Sequence, residues 1–386
     1  MPMVDEYFSS IGTVNFVEGR SLTQRQLIDT DILLVRSVTQ VNKALLENTT
    51  VKFVGTATIG TDHVDLQYLK QNNIGFASAP GCNANSVAEF ILSALIAGDY
   101  LQELFHKNKK LAIVGVGNVG TRVAQFAEIL GFEYICYDPP RENSEAAQNT
   151  LKTPNRWCNW QQVLDADVIS LHVPFNRSGP YATKHMFSKE EFISLRKNCL
   201  LINSSRGGVV DNSALLEHLS NNRTSPWLKV ILDVWENEPA INLPLRDLCI
   251  QHTPHIAGYS IDGKHKGTEM MYQAVIRHFA LQLQPHNPML KGVEITTINW
   301  SDGLGFLQNL KHCILSAYDI NQDSMALKRL DSSNIIKSFD LLRQNYPDRL
   351  EFKHYLIEAV PRQYKSLMKA LGFQVASPIL EPSDDR

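Results

Sequence analysis

The chain has 386 residues, 44% hydrophobic and 20% charged, with a formal net charge of -3. That balance is ordinary for a folded globular protein and gives no general pull toward nucleic acid or an anionic membrane. No apolar run reaches the ~18 residues needed to span a bilayer, and the six cysteines stand singly with no C-x-x-C pair, which points to reduced thiols in a cytoplasm and to no zinc site.

In chain order, "DILLVRS" (31–37) and "VKFVGTAT" (51–58) read as strands, rich in aliphatic residues and ending in polar ones. Residues 85–105 have helical periodicity behind an Asn/Ser start. The segment 109–140 then reads as strand, glycine turn, helix and strand in about thirty residues. Further strands are expected at "DVISLHVP", "CLLINSS", "KVILDVW" and "CIQHTPHI", with helical patterns between several of them. Alternation of this kind predicts parallel sheets with helices on both faces. A second long helix is expected at about 264–283, then a Pro- and Gly-containing linker, "QPHNPMLKG", before a last α+β module. The two long helices flank the central unit, so the chain is expected to enter and leave it through matching connections. The expected plan is an α/β protein with two Rossmann-like or flavodoxin-like parallel-sheet domains and a cleft between them. The first comprises 1–92 with 259–286, the second 93–258, and a C-terminal α+β domain covers 290–386.

Gly115, Gly117 and Gly120 form G-x-G-x-x-G directly after the strand "LAIV", and Asn118 and Val119 open the following helix. The first glycine permits a tight turn, the second lets backbone approach a pyrophosphate, and the third allows close helix–strand packing. The helix N-terminus offers N–H groups and positive potential to the phosphates. Asp138 closes the next strand, where a carboxylate can accept from ribose hydroxyls and repel a 2′-phosphate, so NAD is expected rather than NADP; Arg141 stands nearby.

Arg206, Asp233 with Glu238, and His255 each follow an apolar strand, the end at which open parallel sheets meet ligands. Singly they are common loop residues. Jointly, beside a dinucleotide turn, they suit hydride transfer from a 2-hydroxy acid. Histidine can take the hydroxyl proton near neutral pH, a carboxylate beside it orients the ring and favours its charged form, and a guanidinium grips a carboxylate bidentately. A metal set of His252, His255 and His265 lacks a carboxylate or thiol at ligand spacing, so no metal is expected.

The stretches "VRSVTQVN", "KFVGTATIGTDHVD", "APGCNANSVAEF", "IVGVGNVGTRV", "DPPR", "NSSRGGVVDN", "LDVWENEP" and "HIAGY" together resemble the NAD-dependent D-2-hydroxyacid dehydrogenase family, and the likeness continues into "YDI" at Tyr318 and "FDLLRQNY" at Phe339. The resemblance implies a member that oxidises a phosphorylated small-molecule 2-hydroxy acid at C2 in pyridoxal phosphate (vitamin B6) biosynthesis, as a homodimer formed through the C-terminal domain. It implies Arg206, Glu238 and His255 as the catalytic set. Cofactor contacts are implied at Asp138, Val173, Ser204, Ser205, Arg206, Asp233 and Gly258, and substrate contacts at Ser37, Thr58 and Tyr259. Arg36, Lys264 and Arg343, the last from a partner subunit, are candidate donors to the substrate phosphate. Alternatives are a relative acting on 3-phosphoglycerate and an NAD(H)-sensing corepressor-like scaffold. Relatives open with a short strand before the segment where this chain starts; "MPMVDEY" reads as helix, so the first domain is expected to lack that strand.

Overall fold

The computed structural model describes residues 1–142, 156–221, 228–283, 288, 290, 292–330 and 332–376. Three parallel sheets organise it. The first has the order β1-β2-β3, with β1 at Ile32–Val35, β2 at Phe53–Thr56 and β3 at Gly75–Ser78. Helix Ile261–His278 returns from the far part of the chain to cover this sheet, burying Met271, Tyr272 and Val275 against Phe53 and Ala57. Helix Val4–Phe8 occupies the start of the chain, as "MPMVDEY" predicts, and packs Tyr7 and Phe8 on Tyr272 with ring centroids 5.1 and 5.6 Å apart.

The second sheet has six strands in the order β5-β4-β6-β7-β8-β9. They are β4 Lys110–Val114, β5 Glu133–Tyr137, β6 Val168–Leu171, β7 Cys199–Asn203, β8 Leu228–Leu232 and β9 Gln251–His252. Strands β6 and β7 are buried along their whole length, as expected of strands covered on both faces. The reversal of strand order between β4 and β6 creates a crevice at their carboxyl ends, where such sheets bind ligands. The segment "CIQHTPHI" yields only the two-residue β9, so His255 lies beyond the strand in the loop that follows.

The single helix expected over 85–105 is two, Ala84–Ala97 and Leu101–Phe105. Asp99 is left-handed at φ 65°, and a side chain at Gly98 would come within 2.8 Å of Leu200; the chain bends where it meets the six-stranded sheet. The return helix starts earlier than the periodicity indicates, at Ile261, capped by Ser260 Oγ accepting from the Gly263 N–H at 2.8 Å. The linker expected at 284–292 falls largely outside the described residues.

The third sheet, β10-β11-β12 (Thr296–Asn299, Tyr355–Glu358, Gln374–Val375), shares its core with helices Phe306–Ala317 and Arg362–Leu371, whereas helices Ile320–Lys328 and Ile335–Gln344 put Leu327 and Phe339 into the core of the six-stranded sheet. Its core is continuous with that of the six-stranded sheet through helix Ala84–Ala97. A buried polar knot reinforces the junction at the two points where the chain crosses between the first two sheets. Glu351 accepts from Ser86 and Ser260 hydroxyls at 2.8 and 2.9 Å, and Arg349 donates to the carbonyls of Ser86 and Ala257 at 2.7 and 3.0 Å.

Candidate active site

A cleft of about 650 Å³ lies between the first two sheets and brings the candidate residues together: Ser37, Thr58, Asn118, Val119, Val173, Ser204–Arg206, Asp233, Glu238, His255, Gly258 and Tyr259 all line it.

At the six-stranded sheet, Gly115 turns the chain at φ 87°, a conformation that favours glycine. A side chain at Gly115 would strike the His172 carbonyl at 2.8 Å, and one at Gly120 would strike the Gly115 oxygen at 1.9 Å. At Gly117 a side chain would meet nothing within 4 Å. That is the position where a pyrophosphate needs open space over the N-terminus of helix Asn118–Leu130. Asp138 directly follows β5, and its Oδ2 accepts from the Val116 N–H at 2.8 Å, while Arg141 donates to the Val116 carbonyl at 3.0 Å. Both side chains brace the glycine turn. The hydroxyl of Ser204 and Nδ1 of His172 are buried with no hydrogen-bond partner at the same cleft. Such orphans are costly unless a ligand completes them, so the residues present fit a dinucleotide.

Asp233 is buried, and its carboxylate organises the loop beyond β9. Oδ1 accepts from the Thr253 hydroxyl and the Ile256 N–H, both at 2.7 Å, and Oδ2 from the Ala257 N–H at 3.1 Å. The His255 N–H donates to the Asp233 carbonyl at 2.7 Å. This grip holds His255 at φ 57°, a left-handed conformation that costs about 1–3 kcal/mol in a non-glycine residue and persists only where surroundings enforce it. Glu238 Oε2 lies 2.7 Å from His255 Nδ1, and its Oε1 accepts from the Trp235 N–H at 2.8 Å. Burial pushes the Glu238 carboxyl up, but the charge and hydrogen bond of His255, with Arg343 and the Trp235 N–H, more than offset it, and the net direction is down. With Nδ1 engaged, Nε2 is the nitrogen left for a reacting group.

Arg206 reaches across the cleft. Its Nε donates to Asp62 Oδ2 at 2.9 Å and its Nη1 to the Ser205 carbonyl at 2.7 Å. A side chain at Gly60 would overlap Nη2 at 1.6 Å, so only glycine leaves room for the guanidinium there.

The far wall is cationic. Tyr259 Oη accepts from Arg343 Nη2 at 2.7 Å. Arg36, Lys264 and Arg343 lie 4.9, 5.1 and 5.3 Å from the centre of its ring. Burial, then the neighbouring Arg36 charge, lowers the Lys264 pKa from its usual value. Arg343 arrives from the same chain, on helix Ile335–Gln344, and needs no partner subunit to reach Tyr259. Thr58 Oγ1 bonds Thr56 Oγ1 at 2.8 Å and donates to the Gly60 carbonyl at 3.0 Å, bracing the turn beside Arg206.

The space beside Gly258 is filled by protein: a side chain there would meet Asn83 Nδ2 at 2.0 Å. The glycine is needed for that contact with Asn83, which its implied role as a cofactor contact did not include. Sequence reasoning also missed Asp62 and Asn83 as cleft residues, although both lie inside the stretches "GTATIGTDHVD" and "APGCNANS". His252, His255 and His265 do not converge. His252 is buried with both ring nitrogens unpartnered, and His265 Nε2 lies 3.1 Å from Tyr7 Oη.

Two α/β units across a cleft, with a glycine turn on one side and Arg, Glu and His at its rim, define the class of D-isomer-specific 2-hydroxyacid dehydrogenases. Residues 96–257 match the family described as "D-isomer specific 2-hydroxyacid dehydrogenase, NAD binding domain", and residues 289–372 match a "Domain of unknown function (DUF3410)". The chain is 39% identical over 377 residues to the erythronate-4-phosphate dehydrogenase of Saccharophagus degradans, spanning 98% of both chains. It is 40% identical over 380 residues to that of Psychromonas ingrahamii, spanning 97% of this chain and 94% of the relative. The chain belongs to the erythronate-4-phosphate dehydrogenase family. In fold it is similar to a D-lactate dehydrogenase from Aquifex aeolicus complexed with NAD and lactic acid, with TM-score 0.59, 23% identity, and coverage of 72% of this chain and 92% of that one. It is also similar to an NAD-dependent formate dehydrogenase from Staphylococcus aureus in complex with NAD, with TM-score 0.57, 21% identity, and coverage of 72% and 88%.

Proposed function

We propose that the chain oxidises 4-phospho-D-erythronate at C2 to (R)-3-hydroxy-2-oxo-4-phosphooxybutanoate, with NAD as acceptor, in pyridoxal 5′-phosphate biosynthesis. One observation carries the reading: a single cleft is lined both by Arg206, Glu238 and His255 and by the cations Arg36, Lys264 and Arg343. The substrate carries an anionic group at each end, a carboxylate and a phosphate.

Bound NAD supplies the hydride acceptor. Its phosphates are assigned to the turn at Gly115, Gly117 and Gly120, with the N–H groups of Asn118 and Val119. Its ribose is assigned to Asp138, and the remaining contacts to Val173, Ser204, Ser205, Arg206, Asp233 and Gly258. Arg206 grips the substrate carboxylate and polarises the C2 oxygen. His255 Nε2 takes the C2 hydroxyl proton as hydride leaves C2, and Glu238 stabilises the imidazolium that forms. Ser37, Thr58 and Tyr259 contact substrate, and Arg36, Lys264 and Arg343 hold the phosphate. This reading uses 1–92 with 259–286 as substrate domain, 93–258 as NAD domain and 290–386 as a dimerisation domain. It places the enzyme in the cytoplasm as a homodimer. No helix of the described residues is long and apolar enough to cross a membrane.

Purified protein and NAD(H) are to be incubated separately with 4-phosphoerythronate, 3-phosphoglycerate and D-lactate. Faster turnover of the first is expected. A rate with 3-phosphoglycerate far above it overturns the substrate assignment.

A further inference from the structure

Glu238 and Arg206 stand on separate loops, and both must hold their places for one substrate. Directly behind these loops lies a cluster that the chemistry above does not use: His185, Asp211 and Glu236. His185 Nε2 is 2.7 Å from Glu236 Oε1, and its Nδ1 is 3.4 Å from Asp211 Oδ2. Glu236 sits two residues before Glu238, and Asp211 closes the loop that begins at Arg206. His185 is also tied through its backbone, its N–H donating to the Gly208 carbonyl at 2.8 Å. The two loops touch so closely that a side chain at Gly207 would meet the Trp235 carbonyl at 1.9 Å. The partner residues are themselves anchored. Glu236 Oε2 accepts from the Asn212 N–H at 2.9 Å, and Asp211 Oδ1 accepts from the Ser213 and Ala214 N–H groups at 3.0 and 2.9 Å.

The ring spans the gap between the two loops: Nε2 lies at hydrogen-bond distance from Glu236, and Nδ1 faces Asp211 at the longer separation. A cation among the same three groups is the competing occupant, because their ligand atoms lie within 4.8 Å of one another. Against it, one nitrogen of the ring faces each acid, whereas a metal ion would need a single nitrogen directed at both. The remaining carboxylate oxygens are already taken by backbone N–H groups.

We propose that His185, set between Asp211 and Glu236, is a positioning residue that clamps the Arg206 loop to the Glu238 loop. It touches neither substrate nor cofactor. Its contribution is to keep the carboxylate-binding guanidinium and the His255–Glu238 pair in fixed relation. The inference rests on the assignment of Arg206, Glu238 and His255 as the reacting set.

Two variants test it in the full-length protein. His185→Gln keeps a side chain of similar reach, but its single nitrogen cannot face both acids. His185→Arg supplies donors on several sides. In His185→Gln, kcat is expected to fall by roughly 10–100-fold, the scale on which small misplacements of reacting groups act, while the Kd for NAD stays within about twofold. Amide hydrogen exchange should speed up in 207–212 and 234–238. His185→Arg should recover kcat to within about threefold of wild type. Unchanged kcat and exchange in His185→Gln would overturn the clamp. So would equal impairment of the two variants, a parallel loss of NAD binding, or stoichiometric zinc binding by wild type that His185→Gln abolishes. Exchange and NAD binding are read without turnover, so a wrong substrate assignment leaves those measurements decisive.

Discussion

Glu238 Oε2 lies 2.7 Å from His255 Nδ1, and the other Glu238 oxygen is held by the Trp235 N–H. The carboxylate therefore fixes both the orientation and the tautomer of the ring, leaving Nε2 for substrate. His255→Ala is expected to lower kcat by about 10²–10⁴-fold while NAD binding survives. Steady-state kinetics beside a fluorescence titration of NAD separates the two effects. Near-normal turnover would remove His255 from the acid/base role. The lowered Glu238 pKa also has a stability consequence. Its contribution is present above the unfolded glutamate value and is lost as pH falls through the folded one. Glu238→Gln should accordingly flatten part of the acid limb of Tm against pH.

Arg206 spends Nε on Asp62 and one Nη1 hydrogen on the Ser205 carbonyl, which sets the plane of the guanidinium. A lysine carries the charge but not the planar fork. Arg206→Lys should therefore lower kcat/KM by on the order of 10²-fold, the scale on which misplaced substrate contacts act. Full activity in that variant would show that charge alone suffices.

Lys264 titrates below the usual lysine range because burial and the Arg36 charge disfavour its ammonium form. Its positive charge is present below that lowered value and disappears as pH rises through it. The KM for the phosphorylated acid should rise over that interval, and Lys264→Arg should remove the rise. A pH-independent KM in wild type would take Lys264 out of phosphate binding. Arg343→Ala should likewise raise KM for the phosphorylated acid more than for D-lactate, because its partner Tyr259 lies on the cationic wall.

Glu89 is fully buried in the knot joining the third sheet to the domain crossings. Its Oε1 accepts from the Asn85 amide and the Phe352 N–H at 2.8 and 2.9 Å. Burial, then the Glu351 charge, raises its pKa well above the ordinary glutamate value. A raised carboxyl pKa stabilises the fold fully below the unfolded value, and that stability is lost as pH rises through the folded one. Glu89→Gln should abolish this alkaline loss in Tm. Glu89→Ala should destabilise by about 1–3 kcal/mol by leaving buried donors unpaired, as denaturant unfolding would show.

The order of strands and helices was legible because burial on both sheet faces leaves continuous apolar runs, as in "LLIN", and turns leave glycines, as at 115 and 117. Element ends were less legible. Residues 85–105 keep one periodicity through Gly98, yet the helix ends there: Leu200 leaves no room for a side chain at Gly98, and Asp99 turns left-handed. Gly258 shows the same limit at the site: its glycine answers to Asn83, a neighbour that no local pattern reveals.

By itself the sequence determined the kinds of chemistry present: the strand–glycine–helix turn, the acid after β5, and Arg206, Glu238 and His255 at the ends of apolar segments. Those are local features, set by hydrogen-bonding geometry and side-chain period within a few residues. Only the tertiary structure decided which groups face them. Asp62 meets Arg206 across 144 positions, and Arg343 meets Tyr259 across 84 within one chain. Such pairs depend on how separate sheets pack about a cleft, and packing over that distance leaves no periodicity to read.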